Sequence, residues 1–218
     1  MSRLPFKLAV FDMDGVLTGT PSSWEFVHRK IGVDNSRNLS LFKNGRITYM
    51  DFLRSDVELW IEKLGNVPAD YIRGILDLVP LRSGIAETMS SLKKMGIKTA
   101  IISGGIYWLA EKISKFADFT EIHANKIQTN ANGEIIPDGT VMVDPGRKDV
   151  VLRTLQEKLG IAEKETFSVG DTLQDVAMFR RSGYSIAFNA NDFSMTGKAS
   201  ASMKGNDLTQ ILELIEKL

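Results

Sequence analysis

The stretch Val10-Phe11-Asp12-Met13-Asp14-Gly15-Val16 constrains what this chain can fold into more than any other. Leu8, Ala9, Val10 and Phe11 form a short apolar run with the character of a buried strand, and the run ends abruptly in two carboxylates. Side chains two apart on a strand point the same way, so Asp12 and Asp14 reach one pocket at its end. Buried carboxylates repel each other and lose hydration, so a fold that places such a pair on its core strand needs a cation or a proton there. Gly15 then lets the chain turn sharply off the strand. Taken alone, the seven residues also fit an N-terminal strand running into an ordinary acidic turn, so the rest of the chain has to decide.

After Gly15 the pattern is helical to about Leu78. Ser22-Ser23-Trp24-Glu25 has capping-box spacing and opens a helix through about Ile31. Thr48 caps a longer helix closed by Gly65, and Pro68 fits the first turn of another that ends before Pro80. So much helix between one strand and the next exceeds a simple crossover, so residues 17–80 are expected to be an inserted helical cap. From Gly84 helices alternate with apolar strands, at Lys98–Ile102, Thr166–Val169 and Tyr184–Phe188. Ser103-Gly104-Gly105 reads as a turn into a helix reaching Phe116, and Asn130-Ala131-Asn132-Gly133 as a hairpin turn. Helices are expected over 147–159, from Asp171 to Arg181 and over 208–217. This alternation predicts an α/β fold: a Rossmann-like, doubly wound parallel sheet formed by residues 1–16 and 81–218.

Composition removes several function classes. Lysine plus arginine equals aspartate plus glutamate at 27 each, which argues against a nucleic-acid platform or a polybasic membrane surface. The absence of cysteine excludes disulfides and thiolate metal sites. No segment approaches the roughly 18 uninterrupted apolar residues of a spanning helix, and Asp12 and Asp14 interrupt the first apolar run, so no export signal is read there. A cytoplasmic protein, monomeric or homodimeric and without membrane or nucleic-acid partners, is the expectation.

Ligands of such sheets bind at the carboxyl ends of the strands, and four polar clusters fall there. Asp12 and Asp14 end the first strand, Ser103-Gly104-Gly105 the second, and Asp171 with Asp175 a third, while Lys148 opens the helix before that third strand. Each cluster has an ordinary explanation alone: a turn, a helix N-cap, a solvated lysine. Together they combine an anion cradle of hydroxyl, backbone N–H groups and ammonium with two or three carboxylates suited to oxygen ligation of Mg²⁺. An anion cradle beside a magnesium site is a phosphate site, and Asp14 is then free to act as general acid.

Phe11-Asp12-Met13-Asp14-Gly15, Ile102-Ser103-Gly104-Gly105, Lys148 and Val169-Gly170-Asp171-Thr172-Leu173-Gln174-Asp175 resemble the four signature motifs of the haloacid dehalogenase superfamily. The length, the helical cap after the first motif and the glycine pair resemble its phosphoserine phosphatase-like branch. The resemblance implies that Asp12 is the nucleophile that becomes an aspartyl phosphate and that Asp14 protonates the leaving alcohol and then activates water. It further implies that Ser103, Gly104 and Lys148 hold the phosphoryl oxygens and that Asp12, the Asp14 carbonyl and Asp171 bind the metal, with Asp175 behind them. A phosphomutase of the same superfamily and a phospho-accepting signalling domain remain alternatives.

The cap departs from the pattern of phosphoserine phosphatases. Where that branch carries a glutamate for the substrate amine this chain has Pro21, and where it carries an arginine for the carboxylate this chain has Asp56. Tyr49 stands at an aromatic substrate-binding position, and Asp56, two helical turns on, shares its face, where it would repel a carboxylate if that face overlooks the pocket. Glu25 is a replacement for the missing glutamate or a capping residue. Gln174 replaces the usual asparagine. His28 and His123 are expected on the cap surface and at the edge of the core. The reading is a Mg²⁺-dependent phosphatase of small phosphate monoesters, phosphoserine phosphatase-like but not dedicated to phosphoserine.

Overall fold

The computed structural model describes residues 5–190, 195 and 197–218. Leu8–Phe11 forms β1, buried along its whole length at the centre of a seven-stranded sheet. Ala9 and Phe11 enter one apolar layer while Leu8 and Val10 enter the other, which is why the strand reads as a continuous apolar run rather than an alternating one. On either side lie β2 (Lys98–Ile106) and β5 (Thr166–Gly170), both parallel to β1, with Phe11 level with Ile101 and Val169. β6 (Tyr184–Phe188) and β7 (Ala201–Met203) extend one edge; β3 (Glu121–Thr129) and β4 (Ile135–Thr140) extend the other. Every pairing is parallel except β3 with β4, which form the expected hairpin around Gly133.

Between β1 and β2 come four helices and then α5 (Ile85–Lys94). α1 (Ser23–Ile31) starts at Ser22, whose hydroxyl accepts the Glu25 N–H. α3 (Tyr49–Leu64) has a complete capping box between Thr48 and Asp51, and α4 (Ala69–Asp77) follows Pro68. α2 (Ser36–Lys43) has no side-chain cap and buries no residue, so neither signal used to locate the others marks it. The insertion is joined to the sheet by a short neck, in which the Gly19 N–H donates to the Pro80 carbonyl and the Arg82 N–H to the Leu17 carbonyl. It is also tied to the hairpin: the Ala69 N–H donates to the Gly133 carbonyl and the Ile135 N–H to the Val67 carbonyl.

The remaining helices are α6 (Tyr107–Ser114), α7 (Lys148–Leu159), α8 (Val176–Phe179) and α9 (Gln210–Ile215). Two expectations need correction. Ser103-Gly104-Gly105 is not a turn: β2 continues through it to Ile106, with a register shift against β3 after Ile102. The glycines are there for close approach. A Cβ on Gly104 would lie 2.6 Å from Pro145 Cγ, and one on Gly105 would lie 2.5 Å from Met13 Cε and 2.6 Å from Asp14 Oδ2. The helix expected from Asp171 to Arg181 is a 3₁₀ turn over Leu173–Asp175 followed by the single turn of α8. Its first turn is taken up by the Asp175 carboxylate, which accepts the N–H groups of Asp171 and Thr172. No helix among the described residues is long and apolar enough to cross a membrane.

Candidate active site

Because β1, β2 and β5 run parallel and in register, Asp12, Ser103 and Asp171 emerge at one rim, at the switch point where the chain has built the sheet outward from β1 through β2 on one side and returns to add β5 on the other. The Asp12 N–H prolongs the ladder to the Val169 carbonyl (2.9 Å). Asp12 Oδ1 accepts the Met13 N–H at 2.7 Å and lies 2.9 Å from Lys148 Nζ. Lys148 is 1% exposed and also donates to Asp175 Oδ1 at 2.6 Å. A lysine at the first residue of a helix opposes the helix dipole, and the two carboxylates in front of it hold it there. Asp175 uses its other oxygen on the Asp171 and Thr172 N–H groups and the Thr172 hydroxyl, which leaves it fully engaged.

Asp14 and Asp171 are not fully engaged. Ser23 donates its N–H (2.9 Å) and hydroxyl (2.8 Å) to Asp14 Oδ2, but Asp14 Oδ1 and Asp171 Oδ1 are buried with no hydrogen-bond partner among the described residues. One oxygen each of Asp12, Asp171 and Asp175 lies within 4.8 Å of the others, an arrangement able to hold a metal ion. Gly15, at φ 79°, permits this closeness, because its Cα sits against the Asp171 carboxylate where a Cβ would collide.

The electrostatics follow from the imbalance of acids over cations. Burial pushes Asp12 up to about 7 against the pull of Lys148, with Asp175 and Asp14 adding to the rise. Burial raises Asp14 to about 6, opposed by the two bonds from Ser23. Asp171 rises to about 8 through burial and then the charges of Asp12 and Asp175. Burial disfavours the Lys148 ammonium, yet Asp12 and Asp175 outweigh it and hold its proton more tightly than usual. The rim is an acidic site that gains from a cation, and the orphaned oxygens of Asp14 and Asp171 are where such an ion would be felt.

Ser103 is buried and its Oγ accepts the Gly105 N–H at 3.1 Å. The Gly104 carbonyl accepts from Trp24 Nε1 (3.0 Å), the Tyr49 hydroxyl (2.8 Å) and Asn125 Nδ2 (3.0 Å). Tyr49 therefore meets the site through the Gly104 carbonyl, and burial raises its phenol well above the ordinary range. The sequence patterns do not mark Ser23, Trp24 and Asn125 as site residues. Ser23 and Trp24 sit inside a capping pattern that already explained them. Asn125 is a residue type disfavoured in strands, standing in the strand run Ile122-His123-Ala124, and that is a usable signal.

Two cap residues lie elsewhere than expected. His28 is not on the surface: it is 4% exposed, with Nδ1 accepting from Trp60 Nε1 at 2.7 Å and Nε2 facing Asp56 Oδ2 at 3.3 Å. The indole only donates, so imidazole Nδ1 is the acceptor of this pair. Asp56, whose other oxygen accepts from Asn35 Nδ2, is spent inside the insertion. Glu25 is exposed and contributes only its N–H to the Ser22 cap. His123 is half-buried on β3, at the edge of the core.

Carboxylates and a buried lysine at the switch point of a parallel sheet, under a helical insertion, define an α/β protein with a metal-competent acidic centre. The chain belongs to the haloacid dehalogenase-like hydrolases, whose family model matches residues 6–183. It is 31% identical over 187 residues to a probable phosphoserine phosphatase of Schizosaccharomyces pombe, which covers 84% of this chain and 61% of that one. It is 26% identical over 219 residues to the phosphoserine phosphatase of Methanocaldococcus jannaschii, covering 96% and 98%. The chain thus spans under two thirds of the yeast relative, and 53% of one from Archaeoglobus fulgidus. A solved structure of a phospho-aspartyl intermediate analogue of phosphoserine phosphatase superimposes with a TM-score of 0.76 at 25% identity, covering 96% and 98%. These matches place the chain in the phosphoserine phosphatase-like branch of the family.

Proposed function

We propose that this protein is a Mg²⁺-dependent phosphatase of small phosphate monoesters that works through an aspartyl phosphate on Asp12. The observation that carries the reading is the division of labour between two acids two residues apart. Asp12 Oδ1 is fixed by the Met13 N–H and Lys148, so its second oxygen is oriented for attack. Asp14 is held by Ser23 with a proton affinity raised to about 6, suited to giving and taking a proton near neutrality.

In the first step an Asp12 oxygen bonds to phosphorus, the ester P–O bond breaks, and the departing alkoxide takes the Asp14 proton. In the second, Asp14 removes a proton from water, the water oxygen bonds to phosphorus, and the Asp12–phosphorus bond breaks to release phosphate. Ser103, the Gly104 and Gly105 backbone and Lys148 hold the phosphoryl oxygens. Asp12, Asp171 and the Asp14 carbonyl would hold Mg²⁺, whose charge lets a carboxylate approach an anionic phosphate; Asp175 orients Lys148 and the Asp171 loop behind them. Residues 17–80 act as the cap that selects the alcohol.

The relatives' names point to phosphoserine, but the insertion carries Pro21 and an internally paired Asp56 where that substrate's amine and carboxylate would be met. The favoured substrates are therefore phosphates of polyols, sugars or amino alcohols. Phosphate release from a panel of such esters and phosphoserine, with and without Mg²⁺, tests this. Comparable turnover across the panel is expected, and a preference for phosphoserine of about a thousandfold, ~4 kcal/mol, would overturn the substrate reading. A phosphomutase would instead require a bisphosphate activator, and a signalling domain would accumulate a long-lived phosphoprotein.

A further inference from the structure

The Gly104 carbonyl is offered more hydrogen bonds than it can take. Trp24 Nε1, the Tyr49 hydroxyl and Asn125 Nδ2 all lie within 3.0 Å of an oxygen with two lone pairs. Asn125 is oversubscribed in turn, with Tyr49 Oη (3.2 Å), the Gly104 carbonyl (3.0 Å) and the Val143 carbonyl (2.9 Å) before two amide hydrogens. Its orientation is fixed, because Oδ1 accepts the Met142 and Val143 N–H groups at 2.9 Å each. Two of the three donors on Gly104 come from the insertion, Trp24 from α1 and Tyr49 from α3, whereas Asn125 belongs to the sheet. The same peptide unit carries the Gly105 N–H, which turns toward Ser103 Oγ.

We infer that Trp24 and Tyr49 are positioning residues that share the Gly104 carbonyl and thereby make the orientation of the Gly104–Gly105 peptide depend on the seating of the insertion. A planar peptide cannot turn its carbonyl without turning its N–H, so an insertion lifted off Gly104 releases the backbone donor beside Ser103. With three donors for two lone pairs, the loss of either insertion donor is covered by the other two. The loss of both leaves Asn125 alone, which carries no information about the insertion. The effect is thus synergistic in a way that separate packing contacts are not. The consequence for phosphate binding rests on the function proposed above; the coupling itself does not.

The test is a double-mutant cycle of Trp24→Phe and Tyr49→Phe. Tyr49→Phe keeps its ring against Phe42, and Trp24→Phe removes the indole N–H while leaving an aromatic ring to face Trp60. Amide exchange at Gly105 in the ligand-free protein is expected to rise by no more than about threefold in either single variant. In the double variant it should exceed the product of the two by about tenfold, within the coupling known for residues that share a partner. Exchange in the double variant equal to that product, or unchanged, overturns the inference. Inhibition of ester hydrolysis by inorganic phosphate should weaken with the same synergy. A wild-type protein that neither hydrolyses esters nor binds phosphate sinks the functional reading while the exchange cycle still decides this one. Should the double variant not fold, the carbonyl ¹³C resonance of Gly104 decides from the single variants: it moves in both when both donors bond to it, and stays in place when either does not.

Discussion

The sheet rim and the helical insertion each bury carboxylates, and they treat them in opposite ways. In the insertion Asp56, 1% exposed, accepts from Asn35 with one oxygen and faces His28 Nε2 at 3.3 Å with the other. At the rim four acids share one lysine, two of them keep a buried oxygen with no partner among the described residues, and three are pushed to about 6, 7 and 8. Burial of a charged side chain alone does not mark a functional site; several acids crowded around one cation with their proton affinities raised do.

The largest expected consequence of this contrast lies at Asp12. Asp12→Asn should lower phosphate release by at least about 10⁴-fold while leaving the circular dichroism spectrum unchanged. Retained turnover would remove the nucleophile from the rim. Next in size is Asp175→Ala, which strips a buried partner from Lys148 and should cost about 3–5 kcal/mol in denaturant unfolding. A cost under about 1 kcal/mol would make the pair dispensable.

The third expectation concerns pH in the presence of chelator. Asp12, Asp14 and Asp171 have folded-state affinities for protons above the ordinary 3.8, so the folded state retains protons that the unfolded chain has already lost. Without metal, stability should therefore fall as pH rises from about 4 to about 8, the reverse of a salt-bridged carboxylate. Thermal melts should show Tm lower by about 5 °C or more at the alkaline end, with Mg²⁺ flattening the profile. A Tm that climbs with pH in chelator would contradict the incomplete neutralisation of the rim. The smallest effect sharpens the comparison from the other side. Asp56→Asn should cost about 1–2 kcal/mol of stability and change kcat/KM by less than about threefold, because its partners are internal to the insertion. A large loss of activity would bring Asp56 into contact with substrate after all.

The rim was legible from sequence because its residues end strands that are buried on both faces: the apolar run of Leu8–Phe11 announces both the strand and the place where it stops. Parallel register then brings the ends of β1, β2 and β5 together without further information. The insertion was legible as helices, through the Ser22 and Thr48 caps and Pro68, but not as an arrangement. Asp56, at a position two turns from Tyr49, was expected to face the pocket if that face did; its partners His28 and Asn35 are 28 and 21 residues away in sequence, and no local pattern encodes such a meeting. Ser103-Gly104-Gly105 misled for a different reason. Glycines commonly signal turns, but these make room for Pro145 and Met13 along a strand that keeps going.

The two bonds that tie Val67 and Ala69 to the hairpin limit how the insertion can move. Together with the neck at residues 17–19 and 80–82, they fasten the insertion along two of its sides. A flap stitched on two sides does not lift away whole; it gapes on its remaining side, where Trp24 of α1 and Tyr49 of α3 bond to Gly104 and Ser23 bonds to Asp14 and the Ile106 N–H. Under the proposed function, substrate would then enter and product leave past Trp24, at the cost of the bonds that Trp24, Tyr49 and Ser23 make to the sheet rim.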